Sequence, residues 1–180
     1  MKRLLWLFVI AGLAMAQDKA VQASGANVEL TVYLLSGALQ TTGADDVPQD
    51  LSSTVKQLHS VFSYKSYKLA ESFVLRGRSS GPKALNGGAS TQGILPGDAL
   101  HYEFSYYRVW LTSETPRKVH IDRLQIVLRN DMPHNRPTDP VASLTTDLDL
   151  IEGQKTVVGK SSVNNAGDAL ILVIVPKVIE

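Results

Sequence analysis

The chain has 180 residues, 44% of them apolar and 19% charged, which fits a globular protein long enough to bury a real core. Its 18 basic and 17 acidic side chains leave a net charge of +1, too little to create a global field for nucleic acid or an anionic membrane surface. It contains no cysteine, which excludes a disulfide framework and thiolate chemistry.

The N-terminus has the three parts of a secretory signal peptide. Lys2 and Arg3 precede an apolar run from Leu4 to Leu13, and Ala14-Met15-Ala16 supplies a small-residue cleavage site before Gln17. The run is too short to span a bilayer comfortably. The expectation is an exported bacterial protein of the periplasm or cell envelope, cut after residue 16, with no membrane span left and no nucleic-acid partner. Loss of Lys2 and Arg3 moves the net charge from +1 to −1. Without a cysteine at the cut site, lipid attachment there is chemically excluded. Residues 17–26 are small and polar and are predicted to form a flexible leader, with a single β-rich domain over 27–180.

Val28, Leu30, Val32 and Leu34 alternate with polar or smaller neighbours, the signature of a half-buried strand. A loop over 36–49 leads to Leu51, Val55, Leu58 and Phe62, whose spacing predicts a helix starting near Asp50. Asp50 there favours the positive end of the helix dipole. Tyr67, Leu69, Glu71, Phe73 and Leu75 share one parity, so strand character returns over 64–76, one face packing on the helix. Residues 77–97 hold many glycines and serines and are predicted to be a long loop. Such loops often carry function, so this one is a candidate lid or assembly element.

Tyr102, Phe104 and Tyr106 give way to Tyr107, Val109 and Leu111, and Val119 and Ile121 give way to Leu124, Ile126 and Leu128. A change of parity inside a good strand signals one extra residue, so β-bulges are predicted near Tyr106-Tyr107 and Asp122-Arg123. Thr112 to Pro116 is read as the hairpin joining these strands, and the prolines of 130–140 as a loop.

Leu144, Thr146, Leu148 and Leu150 alternate against Asp147 and Asp149; Glu152-Gly153-Gln154 then breaks the strand. Thr156-Val157-Val158 resumes it, residues 164–168 form a second turn cluster, and Ala169 to Val175 is apolar throughout, as in a strand covered on both faces. Pro176 lacks a donor, so the ladder should weaken there or the strand should lie at an edge. The three strands are expected to form an antiparallel meander.

Glu152, Gly153, Gln154, Thr156, Val157, Val158 and Gly159, followed by Leu170 to Val175, Pro176, Lys177 and Val178, carry a family likeness. Residues 150–180 resemble the C-terminal strands of the bacterial secretin domain, the outer-membrane ring of type II secretion and type IV pilus systems. That family has a turn of the form "(D/E)GQ-T-VV-GG" before a strand of the form "ELLILITPRIV". Its intervening "PxLGDIPxLGxLF" pattern is absent here, and no functional residue carries over. The resemblance implies an envelope assembly module rather than an enzyme. Gly153 to Ser161 also approaches a phosphate loop, but five residues separate the glycines, two of them valines, and no helix pattern follows.

Two pairs stand out for chemistry. His101-x-Glu103 and His120-x-Asp122 each place two potential ligands on one strand face, so adjacent strands would gather four around a metal. Polar alternation on a wet face gives the same pattern. Tyr64, Tyr67, Lys68, Arg76 and Arg78 form the most aromatic and basic region, suited to a polyanion or glycan. Tyr102, Tyr106 and Trp110 are candidates to line a pocket. No catalytic motif is present, so no catalytic residue or cofactor is assigned.

The fold expected is mainly β, an antiparallel sandwich of about seven strands with one packed helix. The function expected is a non-enzymatic exported cell-envelope protein acting in structure, assembly or interaction, through an envelope partner or self-association. The alternatives are a periplasmic small-ligand or glycan-binding module with 77–97 as lid and, behind it, a metal-dependent hydrolase.

Overall fold

The computed structural model describes residues 25–40, 43–79, 88–95, 100–112, 115–130, 140–162 and 168–179. The signal segment 1–16, most of the leader, Lys83, His134 and most of the turn cluster at 164–168 lie outside them. In chain order the described elements are β1 (Asn27–Ala38), α1 (Ser52–Val61) behind one 3-10 turn at Gln49–Leu51, β2 (Ser66–Arg78), β3 (Ala89–Leu95), β4 (Leu100–Tyr106), β5 (Arg108–Leu111), β6 (Lys118–Asn130), β7 (Ala142–Ile151), β8 (Thr156–Ser162) and β9 (Ala169–Ile179).

These strands make two antiparallel sheets. The first runs β2-β1-β9-β8. In the second, β6 is central: β7 lies along one side, and β4 and then β5 share the other, with β3 beyond β4. The mainly β sandwich with one helix is therefore the observed architecture.

Alternation explains the layering. Even-numbered residues of β1 and β9 (Val28, Leu30, Val32, Leu34, Leu170, Leu172, Ile174) enter a core shared with Phe104, Val109, Ile121, Leu124 and Leu150 of the second sheet. Odd-numbered ones (Leu35, Ala169, Ile171, Val173) enter a second core with Leu51, Val55 and Leu58 of the helical segment. The first sheet is thus the middle layer, between the second sheet and α1. That is why β9 is apolar on both faces, as its sequence predicts.

The predicted bulge near Asp122-Arg123 is found; near Tyr106-Tyr107 the strand breaks instead, with one register against β6 on both sides. Tyr107 separates β4 from β5, its amide donating to the Asp122 carbonyl at 3.0 Å. The β6–β7 register slips between Ile121 and Leu124, and Arg123 takes a positive φ of 48°. The helix and its buried positions Leu51, Val55 and Leu58 also stand as expected.

Three expectations are corrected. The loop over 77–97 contains β3, because Ser90, Gln92 and Ile94 alternate with residues that face Phe104 and Tyr102 across the ladder. Among the described residues the count rises from about seven to nine strands through β3 and through the division of 102–111 into β4 and β5. The meander is absent: β7 pairs with β6 and β8 with β9, so Glu152-Gly153-Gln154 carries the chain from one sheet to the other. Local alternation fixes which residues turn inward, not which strand lies alongside. The expectation for Pro176 is met in its first form, since β9 lies inside its sheet. Its ladder does weaken at Pro176: pairing with β8 ends at Ile174, and Gly153 N–H donates to the Pro176 carbonyl at 2.8 Å on that side.

Candidate functional site

The second sheet turns one face to solvent. Its inward positions (Leu100, Tyr102, Phe104, Tyr106, Val119, Ile121) build the core, so the intervening residues must point out. Two groups of side chains occupy that outer face at opposite ends of β6.

At the β5 end, Arg108 and Asp122 form an ion pair at 2.7 Å. The Trp110 and His120 rings stack with centroids 3.9 Å apart, and His120 Nδ1 meets the Asp149 carboxylate at 2.6 Å. The Arg108 guanidinium lies 4.9 Å from the Trp110 ring centre, and Arg123 lies 5.5 Å from that of Tyr107. The Arg123 amide donates to the Asp147 carboxylate at 2.7 Å, which pins the bulge. Each acid here is thereby engaged by a cation, an imidazole or a backbone amide.

At the β3 end lies an open cleft of about 240 Å³ lined by Gln92, His101, Tyr102, Glu103, Val127 and Arg129. The ladder sets His101 opposite Arg129, Glu103 opposite Val127, and Gln92 opposite Glu103. Val127 points outward yet is only 7% exposed, so it forms an apolar floor beneath a polar rim.

The two histidine pairs are not brought together. β4 and β6 are neighbours, but their register places Glu103 at Val127, five residues from Asp122 and roughly 15 Å along the strand. Asp122 is paired with Arg108 and His120 with Asp149. Among the described residues no three His, Asp or Glu side chains gather as a metal centre would require.

Nor do the eight expected binding residues share a surface. Tyr64 and Tyr67 lie in the helix-side core, Tyr102 and Tyr106 in the inter-sheet core. Phe73 stacks on Tyr102 with ring centres 5.4 Å apart. Lys68, Arg76 and Arg78 lie on the outside of β2, where Arg76 bonds Glu29 at 2.8 Å and Arg78 donates to the Gly25 carbonyl at 3.3 Å. Trp110 alone reaches the outer face of the second sheet. Burial pushes the Tyr67 hydroxyl up to about 12, with smaller contributions from Tyr64 and Asp45. Burial likewise raises Tyr106 and, with Glu71 adding to it, Tyr102. These phenols are structural: they stay protonated and give no acid–base function near neutral pH.

Gln92, Val127 and Arg129 carried no signal in the sequence. Gln92 stands in a segment rich in glycine and serine, and the other two reach the cleft only through the β4–β6 register.

What fold and surface define is a two-sheet β-module with a helix on one side. No family model matches the chain, and no curated protein matches it. Among solved structures it is similar to the secretin InvG of the Salmonella SPI-1 type III secretion injectisome. The open-gate secretin (residues 176 to the end) aligns with a TM-score of 0.43 and 11% identity, over 90% of this chain and 63% of that one. A near-atomic cryo-EM structure of InvG aligns with a TM-score of 0.42 and 13% identity, over 87% of this chain and 65% of that one. This chain therefore spans less than two thirds of the secretin chains it matches. Secretin domains are what residues 150–180 resemble in sequence and what these structures contain, although of the type III rather than the type II or pilus kind. A likeness of that size assigns neither family membership nor function.

Proposed function

We propose that this protein is a non-enzymatic, exported component of the bacterial cell envelope, acting as a structural or assembly module. Residues 1–16 are its signal peptide, 17–26 a leader and 27–180 one domain. The reading rests chiefly on β3. It closes one end of the second sheet, its outer side pairs with no described strand, and it carries neither a charged residue nor a proline. Unpaired edges of that composition accept a further strand, whereas charge blocks such pairing. The other terminal strands are defended: β2 by Lys68, Glu71, Arg76 and Arg78, β5 by Arg108, β7 by Asp147 and Asp149, and β8 by Lys160. Ile94 on β3 is also 54% exposed. The signal-like N-terminus and the secretin-like ending support the same reading.

The test is purification of the native protein from its envelope after mild crosslinking, beside the double variant Ser90→Lys with Ile94→Lys. The wild-type protein should bring down further copies of itself or outer-membrane and secretion components, and the variant should lose them while keeping its circular dichroism spectrum. Recovery of a lone monomer from both would sink the assembly reading.

A further inference from the structure

The cleft at the β3 end of the outer face has the composition of a small binding site. Its floor is Val127, and its rim holds one carboxylate (Glu103), one guanidinium (Arg129), one imidazole (His101) and one amide (Gln92). An apolar floor beneath a few convergent polar groups is how proteins recognise small polar molecules. All five side chains stand on ladder-paired positions of β3, β4 and β6, so the backbone sets their spacing. Glu103 and Arg129 are diagonal neighbours across the β4–β6 ladder, roughly 7–8 Å apart at the backbone. Opposite charges are therefore presented on two sides of an apolar patch.

We propose that this cleft binds a small zwitterion of amino-acid type. The ammonium group would sit against the Glu103 carboxylate and the Gln92 side-chain oxygen. The carboxylate would take a forked pair of bonds from Arg129, with His101 beside it. A short aliphatic side chain would cover Val127. His101 and Arg129 also keep contacts within the chain. The cleft adjoins the β3 edge: Gln92 stands between Ser90 and Ile94 on one face of β3, and Ile94 lies opposite His101.

The experiment uses protein expressed from the full chain, recovered from the envelope fraction and isotope-labelled. L-alanine is titrated into the tens of millimolar, with acetate and methylammonium as single-charge controls, and backbone amide resonances are followed. L-alanine should shift the resonances of Gln92, His101, Glu103, Val127 and Arg129, and each control should shift them far less. Glu103→Gln and Arg129→Gln should each weaken binding by about tenfold or more, as loss of a charge-assisted contact does. Arg76→Gln, on the other sheet, should change nothing. Absence of any response to L-alanine, or an equal response to acetate alone, overturns the proposal. If a variant fails to fold, the comparison of L-alanine with acetate and methylammonium on the wild-type protein decides the matter alone.

Discussion

Tyr67 shows how a single side chain can store instability. Its ring is completely buried, edge-on to His59 with centres 4.7 Å apart and to Tyr64 with centres 6.0 Å apart. Its hydroxyl has no hydrogen-bond partner among the described residues. A buried hydroxyl without a partner costs about 1–3 kcal/mol. Tyr67→Phe should therefore raise stability at neutral pH by about 1 kcal/mol, read from urea denaturation. The pH dependence follows from the same burial. The folded-state pKa is raised from 10.0 to about 12, so the folded protein holds its proton where the unfolded chain has released it. The stability this contributes is fully present below pH 10 and is lost as pH rises toward about 12. Wild-type protein should unfold along that rise, and Tyr67→Phe should shift the alkaline midpoint upward. Two glycines give an opposed pair. Gly153 has φ +75° and open space around it, so Gly153→Ala meets only backbone strain and should cost about 1 kcal/mol. A Cβ on Gly93 would sit 2.6 Å from the Tyr102 ring, which stacks on Phe73, so Gly93→Ala should cost about 2 kcal/mol or more through overpacking. The sequence marked Gly153, because its turn chemistry is local. It gave no sign of Gly93, whose need for a bare backbone comes from a ring on another strand.

Within elements, period carried most of the information. The alternation of β1, the spacing of α1 and the parity switch near Asp122-Arg123 are properties of a few consecutive residues, and all of them fold as read. Pairing between elements was not legible. β7 and β8 follow one another across four residues and still lie in different sheets. The junction explains why. Glu152 N–H donates to the Arg117 carbonyl at the start of β6, and its carboxylate accepts from Val178 N–H near the end of β9 at 3.1 Å. The turn is thus tied to both sheets at once, through partners far away in sequence. Glu152→Ala would orphan the Val178 amide at its half-buried end. It should cost about 1–2 kcal/mol, measured by thermal unfolding, while Glu152→Gln, which keeps an acceptor oxygen, should cost less. An equal loss from both would mean that the charge, through Arg117 at 3.9 Å, matters more than the acceptor. The candidate site suffered the same blindness. His101 and Glu103 were visible as a pair, but their true neighbours, Gln92 and Arg129, depend on the ladders of β3, β4 and β6.

At the scale of the molecule, the middle position of the first sheet couples the two cores. Neither the helix-side core nor the inter-sheet core can form without β1 and β9, since each strand gives alternate residues to both. Among the described residues the helix face (Leu51, Val55, Leu58) buries itself in the core that holds Leu35 of β1 and Ala169, Ile171 and Val173 of β9. Disruption on one side should therefore be felt on the other. Val173 is completely buried in the helix-side core, and Trp110 lies on the far, outer face of the second sheet. In protein trimmed to residues 17–180, Trp110 is the sole tryptophan, because Trp6 is the other. Its fluorescence then reports the second sheet alone, while far-ultraviolet dichroism reports the whole. Val173→Ala removes two methyl groups from a closed core and should cost about 2–3 kcal/mol. If the layers fold as one unit, that loss should appear in full in the Trp110 transition, with both probes giving one midpoint. If the second sheet holds together independently, the Trp110 midpoint should stay at its wild-type value while the dichroism splits into two steps. The shared strands favour the first outcome: freeing the helix layer loosens the odd-numbered face of β9, and its even-numbered face is the wall on which the second sheet closes.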